Sequence, residues 1–366
     1  MKRTSVLFCG IFVALLIMIG HGNMSSGAEN PITNQFRIPA GEAANYIHTV
    51  IRTNRTVYTK HVVEWLQEKE VVAPAEQWEE QNALPLPAQM LLYSGLVAAE
   101  TGSGVSYRLA SLWPIYPKNG PATDFERKGL EAVAKDPDHP YTGMVKRGPH
   151  HVFQAIYSDR AVSNVCVSCH NGHERSPRRD YKLNDVMGGI ILSFPVDESA
   201  DKLWVNPETV ADYIYSVIHA DRAVYARLVV DRLQQKGVVF ADEDWKRKKA
   251  LPLPAQMLLY AGQLATEGND GVSFRLASLW PIYPKNGPAT DFEREGLEAV
   301  AKDPDHPYTG MVKRGPHHVF QAIYSDRAVS TVCVSCHNGH ERSPRRDYKL
   351  NDVMGGIILR FPINRE

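Results

Sequence analysis

The sequence predicts an α+β fold written twice. Shifting the 366-residue chain by 167 positions superposes Ala44–Phe194 on Ala211–Phe361. Each copy opens with apolar residues at helical spacing and closes with short strand-like runs. Helices followed by a small, mainly antiparallel sheet define the α+β class. The length suits two such domains.

In the first copy, Tyr46, Ile47, Val50, Ile51, Val57, Tyr58, Val62 and Leu66 recur with helical period. They predict an amphipathic helix over about Glu42–Lys69. Its counterpart runs from Pro207 to about Lys236, with Asn206-Pro207 as a start signal. Leu84-Pro-Leu-Pro87 leads into a second helix, Ala88–Glu100. After the Gly102-Ser-Gly104 turn, Val105, Tyr107 and Leu109 alternate with polar residues as in a half-buried strand. Thr123-Asp-Phe-Glu126 reads as a capping box opening a helix to about Lys135. Val152–Tyr157 and Gly188–Phe194 read as strands. The chain divides into a leader over 1–28, a first domain over 42–196, a linker over 197–206 and a second domain over 207–366.

Basic and acidic side chains balance at 41 each, so no overall field points to nucleic acid or a membrane surface. The leader reads as a secretory signal. Lys2 and Arg3 precede an apolar stretch from Ser5 to Gly20, and Ser26-Gly-Ala28 offers a cleavage site before Glu29. That stretch is short for a membrane span of about 20 residues. The expectation is an exported, periplasmic or extracytoplasmic protein, touching a membrane only through an uncleaved signal.

Beyond Cys9 in the leader, the only cysteines are Cys166, Cys169, Cys333 and Cys336. They form Cys-Val-Ser-Cys-His at Cys166–His170 and again at Cys333–His337. This spacing is the one read as c-type haem attachment. The two thiols add across the haem vinyl groups, and the histidine reaches the iron. Two copies predict two covalently attached c-type haems, with His170 and His337 as proximal ligands. A zinc or redox Cys-x-x-Cys does not explain the adjacent histidine. An exported haem protein of this kind implies the cytochrome c maturation machinery and redox proteins as partners.

Tyr107-Arg-Leu-Ala-Ser-Leu-Trp-Pro-Ile-Tyr-Pro117, Asn119-Gly-Pro-Ala-Thr-Asp-Phe-Glu126, Cys166-Val-Ser-Cys-His-Asn-Gly-His173, Ser176-Pro177 and Asp180-Tyr-Lys-Leu-Asn-Asp-Val-Met-Gly188 resemble the Tll0287-like haem domain family, also called DUF3365. The resemblance covers nearly all of each copy. It implies two tandem PAS-like haem domains with covalent c-type haem. Family members serve as free exported haem proteins and as input domains of membrane sensors. This sequence shows the form without a kinase, cyclase or chemotaxis output, so the expectation is not a signalling role in cis.

The distal ligands are open. No cysteine remains to supply a thiolate, and axial identity sets haem potential and chemistry. His48 with Arg52 in copy 1 corresponds to Tyr215 with His219 in copy 2. Positions i and i+4 share a helix face, so each first helix presents one histidine there, displaced by a turn. His48 and His219 are the distal candidates, against a plain role as partly exposed helix residues. Tyr58, Tyr225, Arg55, Arg222, Met90 and Met257 are possible pocket residues, against packing and surface pairing. His173 and His340 follow the proximal ligand by three residues, which suits a supporting or propionate role better than the opposite face.

Between Arg108 and Leu192 the copies differ only at Lys128/Glu295 and Asn164/Thr331. Upstream they diverge. Gln77-Trp-Glu-Glu-Gln-Asn82 becomes Asp244-Trp-Lys-Arg-Lys-Lys249, with the tryptophan kept and the charge reversed. The reversal lets the repeats dock on one another or gives the two haem ends different partners; a solvated loop is the plainer account. Three functions compete: a dihaem cytochrome relaying single electrons, a haem-based redox or gas sensor acting through a separate partner, and a peroxidase-like or nitrogen-oxide enzyme. The last wants a distal acid–base pair, which the sequence does not reveal.

Overall fold

The computed structural model describes residues 36–148, 150–199, 202–268, 271–315 and 317–363. The leader lies outside them. The class is α+β, and each copy builds one four-stranded antiparallel sheet. In copy 1 the order across the sheet is Ser106–Ala110, Val186–Phe194, His150–Arg160, Tyr141–Arg147. Copy 2 repeats it with Ser273–Ala277, Val353–Ile363, His317–Arg327 and Tyr308–Arg314. No helix among the described residues is long and apolar enough to cross a membrane.

The first helix extends as one rod with a widened middle. Ala40–Val57 is α-helical, Tyr58–Glu64 adopts i→i+5 bonding, and Trp65–Glu68 closes the rod. Copy 2 does the same over Pro207–Val224, Tyr225–Asp231 and Arg232–Gln235. Such widened turns are rare and frequent at functional sites.

The second helix, Pro87–Glu100, starts with proline at its first position, where a missing N–H costs nothing. Gly95 lets this helix lie on the edge strand: a Cβ there would sit 2.3 Å from the Tyr107 carbonyl oxygen. The helix inserted in the sheet runs Asp124–Lys135, with the Thr123 hydroxyl accepting from the Glu126 N–H at 3.2 Å. The expected reciprocal half of the capping box is replaced. Glu126 accepts from the Ala122 N–H and from Arg108 instead.

The stretch read as a linker is folded. Asp197–Ser199 and Lys202–Val205 form a hairpin, and the latter pairs with Ile38–Pro39 at the start of the described chain. Nor are the copies strung as separate beads. One apolar core runs through both, including Ile47, Val50 and Ile51 from copy 1 and Ile214, Val217 and Ile218 from copy 2. Each first helix reaches the other copy's sheet. Tyr46 stacks on Phe361 with ring centroids 5.4 Å apart, and Tyr213 lies against Phe194 at 5.2 Å. The Tyr213 hydroxyl donates to the Pro195 carbonyl at 2.9 Å. The same contact thus runs in both directions between the copies.

Candidate haem centre

Cys166, Cys169 and His170 sit on a short helix, Asn164–Gly172, that the residue pattern did not foretell. Residues i, i+3 and i+4 share one helix face, so both thiols and the imidazole point from one turn. Ser163 starts the helix: its hydroxyl oxygen accepts from the Val165 N–H at 3.1 Å. The same oxygen donates its proton to Glu64 of the first helix at 3.0 Å. In copy 2, Thr331–Gly339 carries Cys333, Cys336 and His337. Ser330 accepts there from Val332 N–H and donates to Asp231 at 2.7 Å.

The four thiols are free and half-buried. Burial holds Cys166, Cys169, Cys333 and Cys336 above the ordinary thiol pKa. Burial, then the charges of Arg55 and His173, push the His170 pKa down; burial, Arg222 and His340 do so for His337. Both imidazoles are thus neutral near pH 7 and keep a lone pair for iron. The His170 ring meets Tyr181 edge-on at 5.8 Å, and His337 meets Tyr348 at 5.7 Å. Among the described residues, no three His, Cys, Asp or Glu side chains converge as a bare metal ion requires.

Beside each motif lies a buried ion pair. Arg55 bonds Asp159 at 2.8 Å, and Arg222 bonds Asp326 at 2.6 Å. Both aspartates sit where the sheet register slips, between Asp159 and Arg160 and between Asp326 and Arg327. Such bulges re-aim side chains. Removing these charges from water disfavours the carboxylates, and both aspartates are raised in pKa, with the arginine opposing the shift.

Six of the pocket residues expected from sequence meet in one place. Arg55, Arg222, Tyr58, Tyr225, Met90 and Met257 line a single narrow, partly open cleft between the copies. Its other walls also come in pairs separated by the repeat length, with one chemical exception: Asn54 faces Asp221. Asn54 donates to the Asp221 carboxylate at 2.6 Å, and burial lifts that carboxyl to a pKa of about 7. The tyrosine hydroxyls are tied down, donating to the Pro85 and Pro252 carbonyls at 2.7 and 2.8 Å. Their rings meet edge-on at 6.3 Å.

The histidines outside the motif are placed differently. His48 stacks on Tyr157 with centroids 3.8 Å apart and planes within 3°. At the equivalent position Tyr215 stacks on Tyr324 at 4.1 Å and 7°. His48 and Tyr215 thus hold the same stacking position in the two copies, and His48 Nε2 is buried without a hydrogen-bond partner among the described residues. His219 lies beside Tyr215 at 5.7 Å. Neither histidine is among the cleft-lining residues. Both are held neutral: burial, with Arg52 nearby, lowers His48 to about 3, and burial with Arg222 lowers His219 to about 4. His173 has partners of its own. Its Nδ1 accepts from the Arg175 N–H at 3.1 Å, and its Nε2 lies 3.0 Å from Glu76. His340 has the same first contact and lies 3.6 Å from Glu243.

The residues suit a planar group that takes two thiols and brings its own polar edge. Several buried polar atoms around the motifs have no hydrogen-bond partner among the described residues: Arg55 Nε, Arg222 Nε, His337 Nδ1 and the Tyr181 and Tyr348 hydroxyls. Buried polar atoms are normally paired, so a cluster of exceptions beside the motif is where a bound group belongs.

Each of the two α+β copies thus sets a Cys-x-x-Cys-His helix beside a buried arginine. The Tll0287-like family model matches residues 33–195 and again 199–362, and the chain belongs to that family. No curated protein matches it, and no solved structure does.

Proposed function

We propose that the chain carries two covalent c-type haems and passes single electrons between exported redox proteins. The observation that carries this reading is the motif helix: in each copy, two unbonded thiols and a neutral histidine share one face, beside unpartnered buried polar atoms. Cys166, Cys169, Cys333 and Cys336 form the thioethers, each S–H adding across a vinyl double bond. His170 and His337 hold the irons. Bound haem supplies a centre that cycles between ferric and ferrous by one electron. The chain orients it: Arg55 and Arg222 stand beside the motifs, each ion-paired with an aspartate, Asp159 or Asp326. Those arginines and aspartates bond to each other, which leaves them ill-suited to shuttle protons in peroxide chemistry and favours electron relay. His48 and His219 stay the distal candidates, each buried and neutral.

Intact mass and a pyridine haemochrome spectrum of the purified protein test the reading. Two haems per chain, attached by thioethers and lost stepwise in Cys166→Ser/Cys169→Ser and Cys333→Ser/Cys336→Ser, are expected. Low-spin spectra indifferent to CO support electron transfer; a large CO-binding fraction shifts the assignment to a gas sensor. A chain expressed with the maturation machinery and carrying no haem overturns it.

A further inference from the structure

Each motif helix is braced by contacts that cross from one copy to the other. The loop of copy 1 touches its own site through Glu76, which bonds His173 at 3.0 Å and accepts from Tyr116 at 2.6 Å. Two residues on, Trp78 is buried under the Arg232 guanidinium of copy 2, 4.6 Å from the ring centroid. Arg232 also donates to the Trp78 and Ala83 carbonyls. The residue before it, Asp231, takes the proton of Ser330, which starts the copy 2 motif helix.

The reverse route has the same parts with one exchange. Glu243 lies against His340, and the buried Trp245 meets Trp65 of copy 1 edge-on at 5.4 Å. The residue before Trp65, Glu64, holds Ser163, which starts the copy 1 motif helix. Position 65/232 is therefore tryptophan in one copy and arginine in the other. The loop facing Arg232 is the acidic one, with Glu79 and Glu80; the loop facing Trp65 is the basic one, with Lys246, Arg247, Lys248 and Lys249. Charge reversal with retention of the tryptophan is what a heterologous clasp between two copies requires: the ring stays as anchor, and the rim follows its partner.

We propose that Trp78 and Trp245 are positioning residues that act across the repeat boundary, each setting the motif helix of the other copy. Trp78 fixes the helix end that carries Asp231, and Asp231 fixes the Ser330 cap and with it the turn bearing Cys333, Cys336 and His337. Trp245 does the same for Glu64, Ser163 and the first motif. A cation–π contact in a desolvated setting and a serine cap are each individually modest. In series they set the direction of the imidazole, to which a haem's potential is sensitive. The proposal rests on the two-haem reading above.

The test uses the full chain carrying haem in copy 2 alone, through Cys166→Ser with Cys169→Ser. Among the described residues no hydrogen bond or ring contact joins Trp78 to the copy 2 motif, so a merely local role leaves that haem unaffected. Trp78→Ala is expected to change the oxidised-to-reduced ratio of the copy 2 haem at fixed potential by roughly threefold or more, converted from the midpoint shift of a one-electron couple. Its EPR g-values should move as well, and Trp78→Phe should restore both. Arg232→Gln, which removes the clasp from the other side, should reproduce the shift where Trp78→Ala does not accumulate. An unchanged midpoint and unchanged g-values in Trp78→Ala or Arg232→Gln overturn the proposal. A chain mass without covalent haem removes both this proposal and the reading beneath it, whereas an attached haem indifferent to Trp78 removes only this one.

Discussion

Asp221 is the one place where the cleft between the copies breaks its own symmetry in charge. Its partner position is Asn54, and burial raises the Asp221 carboxyl from 3.8 to about 7. The folded state therefore holds a proton that the unfolded chain releases near pH 4. Stability from this group is complete below that pH and is lost as pH rises through about 7. Asp221→Asn keeps the shape and the contact with Asn54 while abolishing the titration. Relative to the native chain, the variant should gain about 1.4 kcal/mol for each pH unit between roughly 4 and 7. Urea unfolding of both proteins at pH 5 and pH 8 measures the difference, and equal gaps at the two values contradict the burial argument. The sequence exposed Asn54 and Asp221 only as one substitution among many. Nothing in it said that the two side chains meet.

The second helix owes its place to a residue that contributes nothing but its lack of a side chain. Gly95 brings the helix against Ser106–Ala110 so closely that a methyl group would lie 2.3 Å from the Tyr107 carbonyl oxygen. Backbone cannot yield as a flexible side chain does, so Gly95→Ala should destabilise by about 1–3 kcal/mol despite the better helix propensity of alanine. A denaturant midpoint at or above that of the native chain sinks this account. At this scale the sequence was largely readable. The periodicity of Tyr46 to Leu66 and the apolar run to Phe194 placed the first helix and the closing strand within a few residues. Tyr141–Arg147 was missed because it is an edge strand with no strongly buried face, and so shows little alternation. The motif helix was missed because it buries no residue fully; a capping serine and not an apolar stripe defines it. The widened turn at Tyr58–Glu64 has no periodic signature of its own.

As a whole the molecule is one body made of two copies. The first helices and both sheets contribute to a single apolar core, and Tyr46 and Tyr213 are each buried against the opposite copy. A shared core couples the unfolding of its parts, so heat should unfold the chain in one cooperative transition and not in two. Two resolved calorimetric transitions, each with the enthalpy of about half the chain, would falsify the shared core.

The sequence by itself determined the duplication, the α+β class and the two thiol–thiol–histidine turns, because repeats, periodicity and short motif spacing are local properties of the chain. It also offered Tyr58, Arg55, Met90 and their counterparts as possible pocket residues, against packing and surface pairing. Only the tertiary structure decided that these side chains share one cleft, that the supposed linker is a hairpin, and that His48 stacks on Tyr157. Only it showed that the charge-reversed loops clasp the opposite copy. Those facts depend on contacts between residues more than a hundred positions apart, where burial and shape set the outcome and no local pattern records it.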